Sequence, residues 1–250
     1  MFEIVTYATH SQGMFDELVK DNKVKVLGWG KKWNGFTDRF VAYLDYIRDK
    51  PDDMIIILVD GFDTKINRDP RGAVELFKKR GYRLLFSRSD FDDKFNILFG
   101  TCKDGITINL GLYMGYVKYL RVFFEKMLKQ TCKDDQVIAN RSCKDFDFID
   151  IDKNYEIFYN KGQQNYRSEV PNDVFFIGYP GGVNNKTLED HFKKFKNSLF
   201  SYQQFSIQPI IITTLLSSMI LPRYNFLIVL LGFIHLILVV YLTDTSCMCL

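Results

Sequence analysis

Met54-Ile-Ile-Ile-Leu-Val59, running directly into Asp60-Gly-Phe-Asp63, is the stretch on which the fold turns. A short unbroken apolar run between the acids at 52–53 and Asp60 is the pattern of a strand buried on both faces, as in a sheet covered by helices on each side. In open α/β sheets ligands bind beyond the carboxyl ends of the strands. Acids at i and i+3 in the turn that follows such a strand can converge on one cation. All-oxygen ligation suits Mn²⁺ or Mg²⁺, whose task would be to neutralise a diphosphate. A solvated turn in which an aspartate caps the next segment has the same short pattern, so Asp60 and Asp63 need support from elsewhere in the chain.

Outward from that strand, apolar runs and helical periods alternate. Strand-like runs fall at Ile4–Tyr7, Val24–Leu27, Arg83–Phe86, Ile106–Met114, Phe146–Ile149, Glu156–Tyr159 and Val174–Ile177. Apolar residues at i, i+3 and i+4 mark helices through Phe36, Phe40, Val41, Leu44 and Ile47, and through Val117, Leu120, Phe124, Met127 and Leu128. Leu188, Phe192, Phe195 and Leu199 mark a third. The alternation predicts one α/β domain over residues 1–200, without repeat or linker. Asp134-Asp135-Gln136 opens a further predicted helix, where acids either cap the N-terminus or reach into the same cleft as a base or an acceptor for sugar hydroxyls. Gly111 and Gly115 interrupt the run from Asn109, which weakens a strand unless a backbone must approach something closely.

The composition of the 250-residue chain, 47% hydrophobic and 25% charged, excludes disordered and disulfide-scaffold classes, but it averages two unlike parts. Of 33 Lys+Arg only Arg223 lies beyond residue 200, and of 30 Asp+Glu only Asp244 does. Phe226 to Leu242 is apolar apart from His235 and reaches the lower limit for spanning about 30 Å of hydrocarbon. A shorter apolar segment at about 207–221 fits a hairpin, a re-entrant segment or an interfacial helix. Residues 201–250 therefore read as a membrane anchor that makes a lipid bilayer a partner; a buried C-terminal helix pair is the competing reading. The N-terminus lacks the pattern of a signal peptide, and His191-Phe-Lys-Lys-Phe-Lys196 precedes the tail, which predicts a membrane protein whose charged domain faces the cytosol. Cys-Met-Cys-Leu250 is a poor C-a-a-X box, and palmitoylation of Cys247 or Cys249 is a weak alternative. Five cysteines with no CxxC and no close pairing point to a reduced compartment and away from structural zinc. Sequons at Asn140 and Asn185 would instead fit luminal exposure. The net charge of +3, with basic and acidic residues interleaved, leaves no long basic stripe, so nucleic acid is not an expected partner.

The order of the motifs resembles the glycosyltransferase domain of procollagen lysyl hydroxylases, and more broadly its collagen galactosyltransferase-like and giant-virus relatives. The resemblance spans roughly residues 2–197 through Val5-Thr-Tyr-Ala-Thr9, Leu27-Gly-Trp-Gly30, Trp33-Asn-Gly35, Asp60-Gly-Phe-Asp63, Ile108-Asn-Leu-Gly111, Asp134-Asp-Gln136 and Ile157-Phe158. It implies a GT-A-type, Rossmann-like nucleotide-sugar domain, a UDP-sugar donor, Mn²⁺ or Mg²⁺, and a protein or glycan acceptor. By that resemblance Asp60 and Asp63 would hold the metal, Phe62 would stack on the uracil and Thr9 would lie by the nucleotide. Trp33 and Asn109 would line the sugar side, and Asp134 and Asp135 would face the transferred sugar or acceptor. Two departures stand out. The family's His-Gly-Asn-Gly loop, whose His is the third metal ligand, is replaced by Ile177-Gly-Tyr-Pro-Gly-Gly182, and no hydroxylase domain follows. Lysyl hydroxylation is thereby not an expected activity of these residues. The expected function is a membrane-anchored, metal-dependent hexosyltransferase. The alternatives are a catalytically silent sugar- or partner-binding module and, last, a nucleotidyltransferase, which would need a Gly/Arg-rich triphosphate loop not found near the first strand.

Overall fold

A computed structural model describes residues 1–20, 23–89, 99–130, 134–161, 169–180 and 230. The run Ile55–Val59 is strand β3, and every residue in it is buried. Its side chains alternate between two cores, Ile56 and Leu58 on one face and Ile55, Ile57 and Val59 on the other. This is the period-2 geometry of a strand covered on both sides.

The first face is covered by three helices. These are α2 (Thr37–Ile47) with Phe40, Tyr43 and Ile47, α4 (Val117–Leu128) with Leu120, Phe123, Phe124 and Met127, and α5 (Asp135–Ser142) with Val137 and Ile138. On the second face lie α1 (Phe15–Lys20) through Leu18 and α3 (Pro70–Arg80) through Ala73, Val74 and Phe77. The α3 helix starts at an Asp69 cap that accepts from the Arg71 N–H, with Pro70 in the first turn, and ends at Gly81 in the left-handed conformation.

The remaining strands of the central sheet are β1 (Phe2–Tyr7), β2 (Val24–Leu27), β5 (Leu84–Arg88), β6 (Ile108–Tyr116) and β7 (Ile149–Asp152). Their order is β2-β1-β3-β6-β5-β7. The pairs β1–β2, β1–β3 and β5–β7 are parallel, while β6 runs antiparallel to both β3 and β5. Because β2 and β3 flank β1 on opposite sides, the chain reverses its direction of winding there, and the crevice between the carboxyl ends of β1 and β3 is a topological switch point. A second, three-stranded sheet is ordered β4 (Thr64–Ile66), β9 (Phe176–Gly178) and β8 (Phe158–Asn160). It packs Phe158 and Phe176 into the second core.

The fold is therefore mixed α/β with a central sheet covered on both faces. Three sequence readings are corrected. The strand read at Phe146–Ile149 begins where that reading ends, at Ile149. Phe146 and Phe148 instead join the first core as a connection before the strand. Two of the cysteines are paired: Cys102 and Cys143, both buried, form a disulfide with Cα atoms 5.3 Å apart, within the range such a bridge requires. The Asn140 sequon is no acceptor in the folded chain, since its fully buried side chain is bonded to the backbone of Ile108 and Gln136. Asn185, the helix read at 188–199 and, Leu230 aside, both apolar tail segments lie outside the described residues. Among the described residues no helix is long and apolar enough to cross a membrane.

Candidate functional site

The site is assembled where β1 and β3 end. The Asp60 N–H donates to the Gly111 carbonyl at 2.7 Å, and Asp60 Oδ1 accepts from the Phe62 N–H at 3.0 Å, which turns the chain tightly out of β3. Gly61 is required at this turn: a Cβ there would lie 3.0 Å from Thr6 Oγ1 and 3.1 Å from the Ala8 Cβ, at the neighbouring end of β1. Asp63 follows, and its carbonyl accepts from the Tyr179 N–H at 2.7 Å. The Gly178–Tyr179 segment is thereby held beside Asp63.

The two carboxylates are close enough to oppose each other. Burial pushes the Asp63 carboxyl well above its usual range, the charge of Asp60 pushes it further, and Arg39 pulls it back only in part. Arg39 comes from α2 and pairs with Asp135 at the start of α5. Burial disfavours the Arg39 charge, but Asp135, Tyr113, Tyr43 and Asp60 together outweigh it and raise its pKa. One cation is thus shared among Asp60, Asp63 and Asp135. Tyr43 and Tyr113 stand behind it, both raised first by burial. Among the described residues, Arg39 Nε and the Tyr113 hydroxyl have no hydrogen-bond partner.

The second pair of acids is engaged differently. Asp134 caps α5, its Oδ1 accepting from the Val137 N–H at 3.1 Å. Burial raises its pKa, while the N–H groups of Val137 and Gln136 and the charge of Arg39 oppose the shift. Asp135 is raised first by burial and then by Asp134, against the pull of Arg39. Helix α5 is locked to β6 by the two side chains that follow these acids. Gln136 Oε1 accepts from the Leu110 N–H at 3.2 Å, Gln136 Nε2 donates to the Ile108 carbonyl, and Asn140 Oδ1 accepts from the Ile108 N–H at 2.8 Å. They satisfy backbone groups where the β5–β6 register breaks between Phe86 and Ser87.

Asn109 is buried and its Oδ1 accepts from the Gly111 N–H at 2.7 Å. A Cβ on Gly111 would lie 2.8 Å from that oxygen and 3.7 Å from the Asp60 Cβ, so the glycine allows the close approach expected of it. Phe62 is half-buried, its ring centroid 5.2 Å from that of His10. Thr9 Oγ1 is 2.9 Å from His10 Nδ1, so Thr9 and Phe62 both neighbour the same imidazole. Trp33 stands on the rim, 43% exposed, with its ring 5.8 Å from Tyr7 at the end of β1 and 5.5 Å from Phe36. The structure therefore gathers Asp60, Asp63, Asp135 and the Asn109 turn around one crevice, groups Thr9 with Phe62, and leaves Trp33 on the margin. Arg39, Tyr43, Tyr113 and His10 are additions that the sequence reading lacks. Arg39 had one available signal, a lone cation between the apolar positions Phe36 and Phe40 of an amphipathic helix.

Among the described residues no group of three or more His, Cys, Asp or Glu is placed to hold a metal ion. A closed protein cage is therefore not what these residues build. A divalent cation, if bound, would be held by the Asp60 and Asp63 carboxylates with ligand oxygens and water completing its shell, the usual way Mg²⁺ meets a protein. The incompletely compensated carboxyl of Asp63 is the observation in favour of that fit.

No protein-family model matches the chain, and no curated protein does. Among solved structures, A197 from STIV is similar at 16% identity and a TM-score of 0.35, over 56% of this chain and 78% of that one. The galactosyltransferase LgtC, solved in complex with donor and acceptor sugar analogues, is similar at 11% identity and a TM-score of 0.45, over 79% of this chain and 95% of that one.

Proposed function

We propose that this chain is a metal-dependent glycosyltransferase that moves a hexose from a UDP-sugar to an acceptor hydroxyl on a protein or glycan, anchored to a membrane by residues 201–250 with its domain facing the cytosol. The observation that carries the reading is the Asp60/Asp63 pair at the carboxyl end of β3, beside the switch point and short of positive charge. The motif order shared with the glycosyltransferase domain of procollagen lysyl hydroxylases adds the donor class, a UDP-sugar.

In this reading Asp60 and Asp63 hold Mn²⁺ or Mg²⁺, which when bound neutralises the diphosphate as it leaves. Phe62, backed by His10, offers its ring to the uracil, and Thr9 borders the nucleotide. Asn109 holds the Gly111 backbone against Asp60 and keeps that wall of the sugar site narrow. Arg39 favours the charged form of Asp135 against burial and holds it in direction through their ion pair. Asp134, whose pKa burial raises, is suited to accept the proton of the acceptor hydroxyl as the new glycosidic bond forms. The test is UDP release from a panel of UDP-sugars with and without Mn²⁺. Turnover that is independent of the metal, or equal in Asp63→Asn, would sink the assignment.

One observation favours a second reading, a silent module that retains the fold: among the described residues the acid pair gains no third side-chain ligand. Calorimetric titration of the full chain with UDP separates the two. Binding that Mn²⁺ does not strengthen belongs to the silent module.

A further inference from the structure

We propose that the loop after β2, together with the edge strand that leads into it, docks on the surface of an anionic lipid bilayer. The chain has two tryptophans, Trp29 and Trp33, and both are exposed in this loop, Trp29 to 56%. Phe36 and Val41 extend the exposed apolar surface onto the start of α2. Glycines frame the loop, with φ of 79° at Gly28, 74° at Gly30 and 144° at Gly35, and a Cβ at Gly30 or Gly35 would meet nothing within 4 Å.

The stretch that carries these rings is rich in ammonium groups. Lys20, Lys23, Lys25, Lys31 and Lys32 are all exposed, and Asp21 is the single acid between positions 20 and 33. The acids nearest to the rings outside that stretch are Asp16 and Glu17 on α1 and Asp38, which accepts from the Asn34 N–H at 2.8 Å. Among the described residues Lys20, Lys23, Lys31 and Lys32 form no salt bridge. Lysines on an edge strand also discourage pairing with another sheet, which accounts for Lys25 on β2. It does not account for two exposed tryptophans and a phenylalanine beside Lys31 and Lys32.

Aromatic rings that sit at headgroup depth, with ammonium groups beside them to meet anionic lipid, are the chemistry of a membrane interface. Trp29 stacks on Phe15 with centroids 5.1 Å apart and 19° between planes, so its ring is braced while more than half of the residue stays exposed. Stable attachment to a bilayer generally needs two signals, and the apolar run Phe226–Leu242 supplies a second in the same chain. The docking loop touches the rim of the crevice, since the Gly30 N–H donates to the Thr9 carbonyl at 2.9 Å and Trp33 packs on Tyr7. Resting on the transferase reading, the consequence is an acceptor presented at the membrane, a glycan on a lipid or on a membrane protein.

Both tryptophans lie in the loop and none in the tail, so indole emission reports this surface and is blind to insertion of the tail. The full chain is mixed with phosphatidylcholine vesicles, with and without phosphatidylserine, and with vesicles carrying brominated acyl chains. Phosphatidylserine should shift the emission to the blue and bring it within reach of bromine quenching, and added salt should reverse both effects. Charge reversal in K31E/K32E should weaken the response about tenfold while sedimentation through the tail persists. An unchanged emission on anionic vesicles overturns the proposal, as does an equal shift on neutral vesicles or in K31E/K32E. A shift produced by a soluble oligosaccharide or a single-stranded oligonucleotide, without one from vesicles, also overturns it by assigning another occupant. None of these measurements depends on UDP or Mn²⁺, so a failed docking surface and a failed transferase assignment remain distinguishable.

Discussion

Two pairs of aspartates border the same crevice and live under opposite conditions. Asp134 and Asp135 open α5, where one caps the helix and the other is paired with Arg39. Asp60 and Asp63 close β3, where burial and the charge of Asp60 raise the Asp63 carboxyl and the charge of that same arginine offsets them only in part. The difference separates a pair that holds the fold from a pair that the fold holds in readiness. Acids that complete a helix terminus and a buried ion pair stabilise the chain, whereas like charges kept together without a full counter-charge cost stability unless a cation is their purpose.

The sharpest way to break this contrast is through turnover. Asp60→Asn or Asp63→Asn should lower Mn²⁺-dependent UDP release by roughly a thousandfold. Thermal unfolding without metal should stay level or rise, because one repelling charge is gone. A large fall in melting temperature for either variant would place this pair among the structural acids. Next in size is Arg39→Met, which should cost about 3–5 kcal/mol by denaturant unfolding because Asp135 is left buried without its partner. Adding Asp135→Leu should recover part of the loss, and additive losses would show that the two residues do not act as a pair.

At the other end of α5, the Cys102–Cys143 disulfide closes a loop with a sequence separation of 41 residues. Loop-closure entropy gives C102S/C143S a loss of about 3–4 kcal/mol, checked by denaturant titration alongside the reduced wild type. The smallest effect is at the cap. Asp134→Ala should cost about 1 kcal/mol and Asp134→Ser much less, since serine can also accept the Val137 N–H. If Asp134 also receives the acceptor proton, Asp134→Ser retains the fold and loses turnover; equal turnover would leave Asp134 with the cap alone.

What the sequence disclosed follows from how far each signal depends on distant residues. β3 is legible because a strand buried on both faces needs an apolar side chain at every position, and α4 is legible to its last residue because five apolar positions hold the helical period. By contrast, α3 buries only Ala73, Val74 and Phe77 in an otherwise polar segment, so its stripe is too thin to stand out, and its Asp69-Pro70 start is the clearer cue. β4 is three residues long and exists because β9, more than a hundred residues later, pairs with it. In β7 the strand carries two aspartates, which periodicity reads as surface. Asp152 is nonetheless buried, taking the N–H groups of Glu156, Ile157 and Phe158.

The site divides in the same way. Asp60 and Asp63 are visible because strand, turn and acids are contiguous. Arg39 lies in another helix and gains its meaning only when α5 brings Asp135 to it. Asn109 and Gly111 are visible as an irregularity in a strand, but the reason for the irregularity, the close approach to Asp60, is a three-dimensional fact. The cysteine pair is hidden for a related reason: no local spacing announces that the loop before β6 returns to the end of α5.

Asn140 Nδ2, the atom to which an oligosaccharide would be joined, donates to the Ile108 carbonyl at 3.2 Å and to the Gln136 carbonyl at 2.8 Å. Folding and glycan attachment therefore compete for one nitrogen. A nascent chain that acquired the sugar there could not seat α5 against β6, and it would present unpaired backbone groups of the kind quality-control machinery retains. A glycan on Asn140 and a seated α5 are therefore alternatives at one atom, and the folded chain has chosen the second.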